Sequence, residues 1–152
     1  MSEDVIELGN DVQSKALEAF YSDSYFEAVQ LMQLHLESSI RSLLFCCGPK
    51  IDTSDLLHVN GVAQEISLSQ GIKCLYVFGK ISKEHYDVIS KFNRVRNKMV
   101  HQFNSMKISK DPVTIKKNEL ESIFIKANDL SNEFVVLAIT ETESNEAEAK
   151  RA

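Results

Sequence analysis

Hydrophobic residues recur at intervals of three and four along most of the chain, which is the spacing of one face of an α-helix. The two clearest stripes lie at about 24–47 and about 114–139. The members of the first are Tyr25, Val29, Met32, Leu36, Ile40, Leu43 and Cys47, and those of the second are Leu120, Ile123, Ala127, Leu130, Phe134 and Leu137. These patterns predict two long amphipathic helices.

Weaker versions of the same spacing predict three more helices, at about 5–21, 62–78 and 82–103. Several residues mark ends: Gly48-Pro49 stops the second helix, Gly79 is a C-cap residue for the third, and Ser82 is an N-cap for the fourth. The segment between Gly48 and the third helix is predicted to be a loop, and a linker through Asp111-Pro112 separates the last two helices.

The order of these segments predicts the fold class. Strand-like alternation is scarce, and short connections make consecutive helices run in opposite directions. We therefore expect an all-α fold, an antiparallel up-down helical bundle of about five helices that forms one domain at 1–140. Residues 141–152 are polar and are predicted to form a disordered C-terminal tail.

Composition narrows the class of protein. Hydrophobic residues are 43% and charged residues 26% of 152 residues, as in ordinary globular domains. No apolar run reaches the roughly 20 residues of a membrane span, and the acidic N-terminus does not resemble a signal peptide. Cys46, Cys47 and Cys74 are predicted to be reduced thiols in a cytoplasmic protein. The histidines lack metal-ligand spacing and no phosphate-binding loop appears, so we expect no metal and no cofactor.

Charge is distributed unevenly along the chain. The net charge is −5, but residues 80–117 contain ten Lys and Arg against three acids, which gives this segment +7 and the remainder −12. Two interpretations remain open: a solvated basic face, or an electrostatic footprint for a polyanion.

The fourth predicted helix carries an arginine on its apolar side. At about 100° per residue, Arg96 projects between Ile89 and Phe92. Such an arginine is costly unless it is paired or faces something polar. Glu37 is our candidate partner, in which case the pair joins two helices. His101 projects about 140° away and about 7.5 Å further along the axis, so a second copy of the chain would be needed to bring both groups together.

The same helix ends with the run Asn93-Arg94-Val95-Arg96-Asn97-Lys98-Met99-Val100-His101. This run resembles the signature of the HEPN superfamily (higher eukaryotes and prokaryotes nucleotide-binding domain), in which four to six residues separate an arginine from a histidine late in a bundle helix. Members with this motif are metal-independent endoribonucleases whose motif helices face each other across a dimer cleft. An acidic residue near the middle of the second helix, here Glu37, accompanies the motif as a supporting residue.

The resemblance implies roles for individual residues. His101 would act as general acid and base while the RNA 2′-hydroxyl attacks the adjacent phosphate, leaving a 2′,3′-cyclic phosphate and a 5′-hydroxyl. Arg96 would stabilise the charge on that phosphate, and Asn97 would position groups. The cations expected to bind RNA are Lys91, Arg94 and Lys98. A toxin or defence ribonuclease of this kind would be a homodimer, with an antitoxin or regulatory protein as a partner. The run His101-Gln102-Phe103 lacks the Tyr that some HEPN toxins carry, which argues against regulation by nucleotide transfer there.

A second resemblance leads to a different function. The stretch from Leu68 to Tyr86 is similar to a segment of mannitol-operon-repressor-like proteins, which are also all-α and act by regulatory binding. The alternative to a ribonuclease is therefore a non-catalytic helical regulatory or interaction module.

Overall fold

The computed structural model describes residues 11–48, 56–104 and 114–152, and all regular structure within these ranges is helical. This confirms the all-α prediction. None of the helices in these ranges combines the length and hydropathy that a membrane span requires. In chain order the helices are α1 (Val12–Tyr21), α2 (Tyr25–Cys47), α3 (Leu56–Gln64), α4 (Leu68–Val77), α5 (Lys83–Asn104) and α6 (Lys117–Arg151).

The helix predicted at 62–78 is two helices in the structure. α3 begins at Leu56, inside the predicted loop, and α4 begins at Leu68. The cause of the break is a capping box: the Ser67 hydroxyl accepts the backbone N–H of Gln70, and the Gln70 side chain accepts the backbone N–H of Ser67. Because these bonds satisfy donors at a helix start, a new helix begins here instead of continuing from α3.

The C-terminal segment also differs from its prediction. Residues 141–151 continue α6 as a helix instead of forming a disordered tail. Three polar side chains attach the first part of this segment to the body of the protein: Glu141 pairs with Lys80 at 3.0 Å, and Thr142 and Asn145 donate to the side chain and carbonyl of Cys46. The polar composition of this segment therefore did not reveal that some of its side chains bond to the rest of the protein.

Parts of several predictions lie outside the described residues. These are the predicted start of the first helix near Val5, most of the loop after Gly48, and the linker through Asp111-Pro112. The predicted end signals that can be seen are confirmed. Gly79 follows α4 with φ +68°, where the N–H of Lys80 bonds to the carbonyl of Leu75, and the Ser82 hydroxyl accepts the N–H of His85 at the start of α5.

The hydrophobic core forms around α2, which contacts all five other helices. From the two predicted stripes, Val29, Met32, Leu36, Ile40, Leu43, Leu120, Ile123, Ala127, Leu130 and Phe134 are buried. Phe20 of α1 stacks on Phe124 of α6 with ring centroids 4.2 Å apart, which joins a third helix to this core. Phe78 is the last residue of the helix predicted at 62–78, but in the structure it follows the end of α4 and is 72% exposed.

Side-chain contacts define the directions of the helices. Asp23 lies 3.7 Å from Lys117 and Cys46 bonds to Asn145, so α2 and α6 run in parallel. His85 pairs with Glu133, while Lys91, further along α5, lies beside Glu119, nearer the start of α6. α5 therefore runs antiparallel to α6 and to α2. This arrangement sets which residues of α2 face the motif on α5.

Candidate functional site

Arg96 lies on the side of α5 that faces the rest of the molecule, as predicted. Its neighbours in projection, Ile89 and Phe92, are buried, and Arg96 itself is half-buried. Among the described residues the guanidinium makes two hydrogen bonds: Nε donates to Oε1 of Gln30 at 3.3 Å, and Nη1 donates to Oδ1 of Asn97 at 3.1 Å. Both acceptors are neutral amides, so within the described residues no carboxylate compensates the charge of this arginine.

The expected Arg96–Glu37 pair is not formed. Glu37 instead accepts the backbone N–H of Leu68 at 3.1 Å, at the first residue of α4, and lies 3.7 Å from Arg41. The reason is the axial position of α5 relative to α2. Glu37 lies seven residues beyond Gln30, about 10.5 Å further along the axis of α2. Antiparallel α5 places Arg96 beside Gln30, so the carboxylate is two turns too far along.

Gln30 is the contact that sequence analysis missed. It belongs to a polar stripe on α2 formed by Gln30, Gln33, Glu37 and Arg41, at spacings of three, four and four. These residues are all half-buried, so the stripe faces neighbouring helices and not open solvent. A polar row at helical spacing was visible in the sequence and would have identified Gln30 as a second candidate for contact with Arg96.

His101 lies on a different side of α5 from Arg96. It is exposed in the last turn of the helix, about 140° around the axis from the arginine. Within one protomer the two groups do not converge on one point. The predicted RNA-binding residues instead share the side of His101: Lys91, Arg94, Lys98 and His101 follow spacings of three, four and three and are all exposed. We call these four residues the cationic stripe.

Three other cations of the basic segment are paired with carboxylates. Lys80, Lys83 and Lys117 lie within 4.0 Å of Glu141, Asp87 and Asp23, respectively. Lys91 of the cationic stripe reaches Glu119 only at 4.0 Å, and in the described part of the chain Arg94 and Lys98 form no ion pair. Among the described cations of this segment, those with no carboxylate within 4.0 Å are Arg94, Arg96 and Lys98 of α5 and Lys116, which precedes α6.

A groove between α5 and α6 borders the cationic stripe. It has a volume of about 420 Å³ and opens to solvent. The residues that line it are Val95, Lys98, Met99, Thr114, Ile115, Lys116 and Glu119. The groove therefore combines apolar side chains with two cations, Lys98 and Lys116, and one carboxylate, Glu119.

The other histidines and the cysteines lie apart from this site. His58 is exposed, His85 pairs with Glu133 at 3.0 Å, and burial lowers the pKa of His35. The three cysteines are free thiols, and burial raises the pKa of Cys47 to about 11. Across the described ranges no three His, Cys, Asp or Glu side chains are grouped as metal ligands.

Comparison of the chain with protein-family models, with curated proteins and with solved structures finds no match.

Proposed function

We propose that the protein is a HEPN-like antiparallel helical bundle that acts, as a homodimer in the cytoplasm, as a metal-independent endoribonuclease of the toxin or defence type. Arg96, Asn97 and His101 are its catalytic residues. The observation that carries this proposal is the environment of Arg96, a half-buried guanidinium that is held by the amides of Gln30 and Asn97 and has no carboxylate partner among the described residues.

The uncompensated charge distinguishes a binding arginine from a structural one. A half-buried cation without a counter-ion is unfavourable, and proteins normally pair it. Nε and Nη1 are fixed by amides, whereas Nη2 has no acceptor among the described residues, and a planar guanidinium bonds well to phosphate oxygens. A phosphodiester placed here would gain from Arg96 as negative charge develops on its oxygens during reaction.

His101 supplies the proton transfer. Its imidazole can accept the 2′-hydroxyl proton and return a proton to the departing 5′-oxygen. The bond that forms joins the 2′-oxygen to phosphorus, and the bond that breaks joins phosphorus to the 5′-oxygen. The products are a 2′,3′-cyclic phosphate and a 5′-hydroxyl, and no metal is required.

A second subunit resolves the separation of the two groups. If α5 of one protomer lies against α5 of the other, an imidazole from one chain can approach a guanidinium from its partner. The cationic stripe of each chain then lies along the cleft and binds the RNA backbone through Lys91, Arg94 and Lys98. An acidic antitoxin or regulatory protein would bind the same stripe.

The first test measures cleavage of single-stranded RNA in EDTA. We expect His101→Ala and Arg96→Ala each to lower the rate by at least about 100-fold, the usual scale for a general acid–base group. His58→Ala and Arg151→Ala are matched controls, since both residues are exposed and belong to other helices, α3 and α6. Cleavage that persists in both site variants contradicts the proposal.

The second test is complementation between inactive subunits. Mixing Arg96→Ala with His101→Ala protein produces heterodimers in which one composite cleft has both groups intact. In an equal mixture that exchanges subunits at random, half of the dimers are heterodimers with one intact site each, so we expect activity to return toward about a quarter of the wild-type value. If the heterodimers form but RNA cleavage is not restored, the active site is not shared between the two subunits.

One observation favours the alternative of a non-catalytic regulatory or interaction module. In a single protomer the cationic stripe and Arg96 lie on different sides of α5, and a stripe alone is sufficient to bind a polyanion. This alternative predicts a stable complex with nucleic acid or an acidic protein and no cleavage products. The cleavage assay distinguishes the two functions directly.

A further inference from the structure

The side chain of Gln30 has an unusual bonding arrangement. Its Oε1 accepts the Nε–H of Arg96 at 3.3 Å, while its Nε2 is buried and has no hydrogen-bond partner among the described residues. A buried amide donor without a partner is costly, so the amide keeps this orientation for its contact with Arg96. The reverse orientation would place two donors against each other.

We propose that Gln30 is a positioning residue for Arg96, and that its neutrality keeps the charge of the guanidinium available to a phosphate. This inference rests on the proposed function, because it assumes that Arg96 binds the scissile phosphate of RNA. Gln30 contacts no reacting atom itself. It fixes Nε of the guanidinium from α2, as Asn97 fixes Nη1 from α5.

The polar stripe of α2 shows why an amide at this position matters. The stripe carries a carboxylate at Glu37, and that carboxylate is engaged by the N–H of Leu68 and by Arg41. At the level of Arg96 the stripe offers an amide of nearly the same shape instead. A glutamate at position 30 would form an ion pair with Arg96 and compensate its charge. One side-chain atom thus decides whether Arg96 is a binding group or half of a structural pair.

The test is the substitution Gln30→Glu, with Gln64→Glu as its control. Both variants change the net charge equally, but Gln64 is exposed at the end of α3, far along the chain from the site. All proteins carry His101→Ala so that RNA is not cleaved during the measurement. The readouts are the affinity for a fluorescent single-stranded RNA at several salt concentrations and the melting temperature.

We expect Gln30→Glu to weaken RNA binding by at least 10-fold relative to Gln64→Glu. The slope of log affinity against log salt should fall by about 0.7, the value for one lost contact to single-stranded RNA. The melting temperature should stay equal or rise, because an ion pair replaces a neutral contact. Gln30→Met, which removes the bond but adds no charge, should leave the salt slope unchanged. A variant destabilised for structural reasons would not show this combination.

The outcomes separate this inference from the proposed function. If Arg96→Ala binds RNA as well as its parent, Arg96 is not a phosphate ligand, and the proposed function falls together with the inference. If Arg96→Ala weakens binding but Gln30→Glu behaves like Gln64→Glu, only the inference is overturned. A lower melting temperature for Gln30→Glu also overturns it, since the charge then disturbs the helix contact instead of pairing with the guanidinium.

Discussion

Glu37 holds the start of α4, and its replacement by alanine should therefore destabilise the protein without affecting Arg96. The substitution removes the carboxylate that accepts the N–H of Leu68 at 3.1 Å and the pair with Arg41 at 3.7 Å. A hydrogen bond to a charged acceptor contributes about 1.5–3 kcal/mol, and a partly exposed pair one turn apart about 0.3–0.5 kcal/mol. Glu37→Ala should thus lower the free energy of unfolding by about 2 kcal/mol. In a chain of this size the melting temperature would fall by about 4–8 °C.

The assay is urea unfolding followed by circular dichroism, arranged as two double-mutant cycles. Glu37→Ala combined with Arg41→Ala should show a small favourable coupling of about 0.3–0.5 kcal/mol, and Glu37→Ala combined with Arg96→Ala should be additive within about 0.5 kcal/mol. A coupling above about 1 kcal/mol between Glu37 and Arg96 would refute the reasoning, because it would mean that the carboxylate compensates the guanidinium. An alanine variant as stable as the wild type would refute the capping role.

Three further predictions concern packing and titration. Gly71→Ala should destabilise the protein by about 1 kcal/mol despite the better helix propensity of alanine, because a Cβ at Gly71 would lie 2.5 Å from Cγ2 of buried Ile40. Gly61→Ala should instead stabilise the protein by about 0.5–1 kcal/mol, because a Cβ there meets nothing within 4 Å. Equal effects of the two substitutions on urea unfolding would contradict this prediction. Burial raises the pKa of Cys47 to about 11. In a variant that keeps only this cysteine, the rate of reaction with iodoacetamide should rise mainly above pH 10, because the thiolate is the reactive form. Fast labelling at pH 8 would contradict this prediction. Burial lowers the pKa of His35, so at low pH the unfolded state binds a proton more readily than the folded state does. The free energy of unfolding should therefore fall as pH drops below about 6.5. His35→Gln should reduce that fall, and an unchanged pH profile of stability in this variant would contradict the prediction.

The helices that were predicted well are those whose burial is one-sided and continuous. The stripes of α2 and α6 are buried almost as the spacing predicted, because one long apolar face specifies both the element and its orientation. The break before α4 was missed because a hydrophobic pattern does not show where one helix ends and another begins. The local signal was a serine three residues before a glutamine, Ser67 and Gln70, which form the capping box.

The extension of α6 was missed for a different reason. Residues 141–151 contain no apolar stripe, and their composition alone is typical of a disordered tail. What holds their first part is tertiary: Glu141, Thr142 and Asn145 bond to Lys80 and Cys46, which are distant in sequence. Polar contacts of this kind depend on which helix ends lie together, and spacing within a single helix carries no information about that.

In the candidate site, too, the local pattern of the sequence predicted the orientation of a side chain but not its tertiary partner. The inward orientation of Arg96 follows from the helical repeat of α5 alone, and the structure has it half-buried beside Ile89 and Phe92. Its partner depends on how far α5 is displaced along α2, and a displacement of two turns exchanges Glu37 for Gln30. Sequence predicted the side of the helix but not the level, and the level determines whether the arginine is neutralised.

Arg96 and His101 lie on different sides of α5, and the proposed roles of the two residues require different environments. An arginine that is held by amides of its own chain must lie on the inner side of the helix, whereas a histidine that exchanges protons must remain accessible to substrate. Five residues place these groups about 140° apart and satisfy both needs at once. The same spacing prevents one protomer from completing the reaction alone, so on this mechanism catalysis depends on association. The proposed function therefore predicts that a single chain binds RNA through its cationic stripe and that cleavage requires two α5 helices to meet.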